Sequence, residues 1–101
     1  MAQNDTVTLT AATWTQITNG DVSSITFQNR GLAGSELLEP ALYVMATASA
    51  SAPSTLDGAI RYERGQGERN VALSDLFPGV TSPVRLYGYS TDAIDVQVSH
   101  A

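Results

Sequence analysis

Ile94-Asp95-Val96-Gln97-Val98-Ser99 alternates apolar and polar residues without a break. Successive side chains of an extended strand point to opposite faces, so this run has one face to bury and one to hydrate. The same period recurs upstream. Val7 and Leu9 alternate with threonines, Ile25 and Phe27 with Thr26 and Gln28, and Leu42, Val44 and Ala46 with Tyr43, Met45 and Thr47. Ile60 and Tyr62 oppose Arg61 and Glu63, and Val84 and Leu86 oppose Arg85 and Tyr87. No comparable stretch carries a helical period.

Turn-forming residues punctuate these runs: Asn19-Gly20-Asp21, Asn29-Arg30-Gly31, Pro53, Asp57-Gly58, Gly65-Gln66-Gly67, Pro78-Gly79 and Pro83. Seven to eight short antiparallel strands follow, which predicts an all-β fold, a single β-sandwich over residues 1–101 of immunoglobulin-like or jelly-roll-like topology. Residues 1–6 are expected as an extended N-terminal arm. Ala46 to Pro53 is small and of low complexity and reads as the end of a strand running into a flexible crossover. Ser74-Asp75-Leu76-Phe77-Pro78-Gly79 reads as a turn capped by the Ser74 hydroxyl. Gly31 to Pro40 is long for a hairpin and carries three leucines and two glutamates.

The chain has no cysteine, no lysine and one histidine, His100. Nucleophilic catalysis, acid/base catalysis and most transition-metal sites draw on those residues, so an enzyme is not expected and no cofactor or metal is implied. Ten acidic residues against five basic ones, a net charge of −5, oppose the basic footprint that a phosphate backbone requires, so nucleic acid is not an expected partner. Neither a signal peptide nor an apolar run long enough to cross a membrane is recognisable, and a soluble chain with no membrane partner is expected.

Several constellations carry chemistry-bearing side chains. Arg61-Tyr62-Glu63-Arg64-Gly65-Gln66-Gly67-Glu68-Arg69 offers guanidinium groups beside glycines; it reads first as a β-hairpin with Glu63, Arg64, Glu68 and Arg69 pairing across it, and second as an anion clamp. The carboxylates, with Glu36 and Glu39 or Asp92 and Asp95 as the nearest pairs, read as solvated surface charge, and His100 as a residue with no packed shell to fix its tautomer. Trp14 reads as core aromatic mass with Phe27 and Phe77. Arg85, Tyr87 and Tyr89 share the face opposite Leu86, a composition typical of interface hot spots, with carbohydrate stacking as the second option.

Thr13-Trp14-Thr15-Gln16-Ile17, Ser24-Ile25-Thr26-Phe27-Gln28-Asn29, Leu42-Tyr43-Val44-Met45-Ala46-Thr47, the segment from Ala52 through Tyr62, Leu73-Ser74-Asp75-Leu76-Phe77-Pro78-Gly79-Val80, Arg85-Leu86-Tyr87-Gly88-Tyr89 and the terminal Val96-Gln97-Val98-Ser99-His100-Ala101 together resemble a group of small virion structural proteins of tailed bacteriophages and related prophages. Nearly the whole chain takes part, through structural punctuation rather than an active site, and the Gly31 to Pro40 insertion departs from the group in being longer and more apolar. The resemblance implies a non-enzymatic capsid decoration (cement) protein, made in the host cytoplasm and displayed on the virion, whose partners are the major capsid protein and copies of itself as a homo-oligomer. A tail, neck or head-fibre component is the first alternative and a carbohydrate-binding module the second. Candidate contact residues are Gln3 and Asp5 on the arm, Leu32, Leu37 and Leu38 on the long loop, and Arg85, Tyr87 and Tyr89 on the aromatic stripe.

Overall fold

The computed structural model describes residues 2–32, 40–49 and 51–100. Among the described residues eight strands form: β1 (Gln3–Thr8), β2 (Thr15–Gln16), β3 (Ser24–Leu32), β4 (Leu42–Thr47), β5 (Ile60–Tyr62), β6 (Gly67–Ala72), β7 (Arg85–Tyr89) and β8 (Ile94–His100), with a single helical turn, α1 (Leu73–Leu76), after β6. They make two four-stranded sheets, β1-β8-β3-β6 and β2-β7-β4-β5, and every pairing is antiparallel. The fold is the expected all-β sandwich.

The pairing is nested. β4 pairs with β5, β3 with β6, β2 with β7 and β1 with β8, as though one long antiparallel ribbon had been folded at the β4–β5 connection. Wrapping that ribbon brings β3 against β8 and β4 against β7 and closes each sheet. This order is that of a jelly roll, not of an immunoglobulin domain.

The alternating runs supply the core as their period requires. Ile25 and Phe27 from one sheet and Leu42, Val44 and Ala46 from the other are buried, together with Leu86, Ile94, Val96 and Val98. Gly88 of β7 lies where Ile17 and Leu42 close over the strand; a Cβ there would stand 2.7 Å from Ile17 Cδ1, so a larger residue would displace core.

Several local expectations are corrected. Asn29-Arg30-Gly31 is not a turn: β3 runs through it, and the extra residue is taken up by a β-bulge against β8 with Gly31 at φ +83°, a conformation glycine adopts without strain. Arg61 to Arg69 is not a hairpin, because β5 and β6 belong to different sheets and residues 63–66 cross between them. The charged groups expected to pair across it are therefore deployed otherwise: Arg61 pairs with Glu63 at 2.9 Å along the same strand end, while Glu68 accepts from Tyr62. The segment after Ala46 is no crossover, since it joins β4 to β5 within one sheet. Ser74 does not cap α1. The helical turn begins at Leu73, so Ser74 lies inside it and Ala72 stands at the N-cap with no side-chain bond. Residues 3–8 are no free arm but pair with β8 along their whole length.

Tyr62 ties one sheet to the other beyond simple burial. Tyr62 packs edge-on against Phe27 with ring centroids 5.1 Å apart, and its hydroxyl donates to Glu68 Oε2 at 3.0 Å. Burial of the phenol, then the bond to Glu68 and its negative charge, push the Tyr62 pKa above the ordinary phenol range. A raised folded-state pKa means stability that is fully present below the unfolded-state value of about 10 and lost as pH climbs beyond it. Denaturant unfolding followed over alkaline pH should show that decline from about pH 10 upward, and Tyr62→Phe should give a visibly flatter profile in the same window.

Candidate functional site

Side-chain parity assigns the outward face of the β2-β7-β4-β5 sheet. Leu86 and Gly88 point inward, so Arg85, Tyr87 and Tyr89 point out. Residues opposite one another in register share a face, which adds Tyr43 opposite Tyr89, Met45 opposite Tyr87, Thr47 opposite Arg85, Gln16 opposite Tyr87 and Arg61 opposite Tyr43. Trp14, just before β2, completes a row of rings. Its centroid lies 5.4 Å from that of Tyr89, tilted by 50°, and Tyr89 lies 6.5 Å from Tyr43 at 63°.

The stripe expected to be solvated is only partly so. Tyr87 is 4% exposed, flanked by Gln16 and Met45 on the neighbouring strands, and its hydroxyl donates to Gln16 Oε1 at 3.2 Å. Tyr87 is thus a packed member of the face rather than a presented ring. Arg85 is half-buried and its Nε donates to Asp21 Oδ1 at 2.8 Å, a pair with an exposed carboxylate that contributes about 1 kcal/mol at most. Trp14 is not core mass; it is half-buried on this outer face with Tyr89 and Tyr43, which are also half-buried. Tyr43 facing outward was legible from its alternation with Val44, but its meeting with Tyr89 depends on the β4·β7 register.

The remaining candidates lie elsewhere. Gln3 and Asp5 are on β1, at the end of the other sheet. The Gln3 amide is internal wiring: Nε2 donates to Asp5 Oδ1 (2.9 Å) and the Ile17 carbonyl (3.3 Å), and Oε1 accepts from the Asn19 amide (2.9 Å). His100, expected without a packed shell, is 9% exposed at the end of β8, with Nε2 2.8 Å from the same Gln3 oxygen. That oxygen can only accept, so Nε2 donates in this contact. The backbone of Leu32 pairs opposite Ile94, and Leu37 and Leu38 lie outside the described residues.

The outer face of the β1-β8-β3-β6 sheet has a different chemistry. Thr6 and Thr8 of β1, Thr26 and Gln28 of β3, and Gln97 and Ser99 of β8 make it polar and nearly uncharged, with Gln97 donating to Asn4 Oδ1 and Thr8 to Asp95 Oδ1. Among the described residues there is no group of three potential metal ligands, no buried side-chain nitrogen or oxygen without a partner, and no helix long and apolar enough to cross a membrane. The arrangement can therefore offer two dissimilar contact faces, one aromatic and one of hydroxyls and amides. Compared with protein-family models, curated proteins and solved structures, the chain gives no match.

The half-buried Trp14 and the buried Phe27 should separate in their energetic weight. Trp14→Ala is expected to cost about 1–2 kcal/mol of unfolding free energy and Phe27→Ala about 3–5 kcal/mol, read from denaturant midpoints.

Proposed function

We propose that this chain is a non-enzymatic virion structural protein, a capsid decoration protein that docks on the shell surface through the aromatic face of the β2-β7-β4-β5 sheet. The observation that carries the reading is the Trp14, Tyr89 and Tyr43 cluster, set outside the core, with Arg61 opposite Tyr43 and Arg85 further along β7. Tryptophan, tyrosine and arginine are the residue types that dominate protein interfaces. The ring tilts of 50° and 63° support a protein contact over a polysaccharide, since stacking on a flat sugar chain favours rings near one plane. The jelly-roll order is in keeping with viral capsid domains, though lectin domains share it, so fold analogy is neutral between those two. The mechanism is passive. Each copy bridges neighbouring capsid subunits, and many modest contacts around a symmetric shell add up to avid attachment.

Purified protein mixed with shells lacking it, pelleted and counted by quantitative gel, should bind saturably at a fixed ratio to the major capsid subunit. Trp14→Ala should weaken binding by tenfold or more, in line with loss of a hot-spot side chain. No binding, with single-digit copies found per virion instead, would transfer the protein to the tail, neck or head fibre.

A further inference from the structure

Four strand edges terminate the two sheets, and three are blunted. β2 has two residues and β5 three, with Arg61 in its centre. β6 is broken by a bulge in which Asn70 takes φ +49° and turns its amide onto the Thr26 hydroxyl, flanked by Glu68 and Arg69. Short length, bulges and charges are the usual protections of an open edge. β1 is neither short nor bulged, and its one charge is Asp5. It runs six residues without a bulge, contains neither proline nor a basic residue, and no described strand pairs with its outer side.

The alternation of hydrogen bonds identifies what this edge presents. The Leu9 amide donates to the Ile94 carbonyl at 2.9 Å, in the register that sets Val7 opposite Val96. Bonded positions alternate along an antiparallel pair, so Gln3, Asp5 and Val7 exchange bonds with β8, while Asn4, Thr6 and Thr8 turn their N–H and C=O groups to the free edge. All three are exposed.

We infer that β1 is a self-association edge, pairing antiparallel with β1 of a second copy about a two-fold axis at Thr6. The axis is selected by the residues. Centred on Thr6, the pairing sets Thr6 opposite Thr6 and Asn4 opposite Thr8 of the second copy, so every outward backbone group meets its complement. Centred on Asp5 it would set two carboxylates directly opposite, which is destabilising. Centred on Val7 it would leave Asn4 unmatched. With Thr6 on the axis the two Asp5 side chains are diagonal neighbours, about 7–8 Å apart. A two-fold axis perpendicular to the sheet keeps faces matched, so the hydroxyl and amide surface of one copy continues into that of the other. The inference gives the proposed homo-oligomer a named edge but does not rest on the virion reading; association of the isolated chain is measured without shells, and either can fail alone.

Sedimentation of the purified chain from micromolar to millimolar concentration should show a dimer. Thr6→Pro, which removes an N–H unused within the chain, should stay folded by circular dichroism and weaken association at least tenfold, whereas Asp5→Asn should strengthen it. Because the chain has no cysteine, Thr6→Cys should oxidise to a disulfide-linked dimer. Asn4→Cys and Thr8→Cys should each remain uncrosslinked alone and crosslink when mixed. A single-chain mass at millimolar concentration, a dimer that persists in folded Thr6→Pro, or equal crosslinking of all three cysteine variants would overturn the inference.

Discussion

The carboxamide of Asn29 holds the corner at which this ribbon folds over itself. It is fully buried on β3 of one sheet, yet its Nδ2 donates to the carbonyls of Pro40 (3.2 Å) and Tyr62 (3.1 Å), which lead into β4 and end β5 in the other sheet. Its Oδ1 accepts from the Gly31 amide at 2.8 Å, across the bulge. Its backbone groups are engaged too, the N–H with the Gln66 carbonyl at 2.9 Å and the carbonyl with the Gly65 amide at 2.7 Å. One side chain thus pins the bulge in β3 and the strand ends on either side of the crossing. A buried amide is costly unless satisfied, and this one is satisfied by groups that only the native topology brings together.

Two of the passages between the sheets begin or end beside that corner: β4 opens after Pro40, whose carbonyl Asn29 holds, and residues 63–66 lead from β5 to β6 past its backbone groups. Tyr62 and Glu68 brace the return crossing, and Phe27 backs it from within the core. At the far end of the ribbon Gln3 plays a similar part for the termini, joining β1 to residues 17–19 and to His100. Polar side chains thus link the elements at both ends of the ribbon, while the alternating apolar residues fill the core between them.

This division explains what was legible in the sequence. Ile25 and Phe27, Leu42 to Ala46, and Ile94 to Val98 revealed their inward sets because burial on one face imposes period two. β6 left no such mark: Gly67-Glu68-Arg69-Asn70-Val71-Ala72 is an edge strand with a bulge, and its residues alternate poorly. Asn29-Arg30-Gly31 has the composition of a turn, and only the long-range partners of Asn29 reveal it as a bulged strand. The aromatic face was half visible. Tyr87 and Tyr89 share a parity that the sequence shows, but the burial of Tyr87 and the placement of Trp14 beside Tyr89 depend on which strands become neighbours. Ser74 has the composition of a cap, but the turn starts one residue earlier and places it inside, with Ala72 at the N-cap.

Trp14, Tyr43 and Tyr89 lie outside the core, and Asn4, Thr6 and Thr8 turn their backbone groups away from β8. The dependence on the Asn29 corner is tested most directly by equilibrium unfolding of Asn29→Asp at neutral pH, a near-isosteric change that removes both donors to the Pro40 and Tyr62 carbonyls. A loss of about 3 kcal/mol or more is expected, from two orphaned carbonyls and a buried charge. A stability within about 0.5 kcal/mol of the native chain, the range of ordinary surface substitutions, would contradict it.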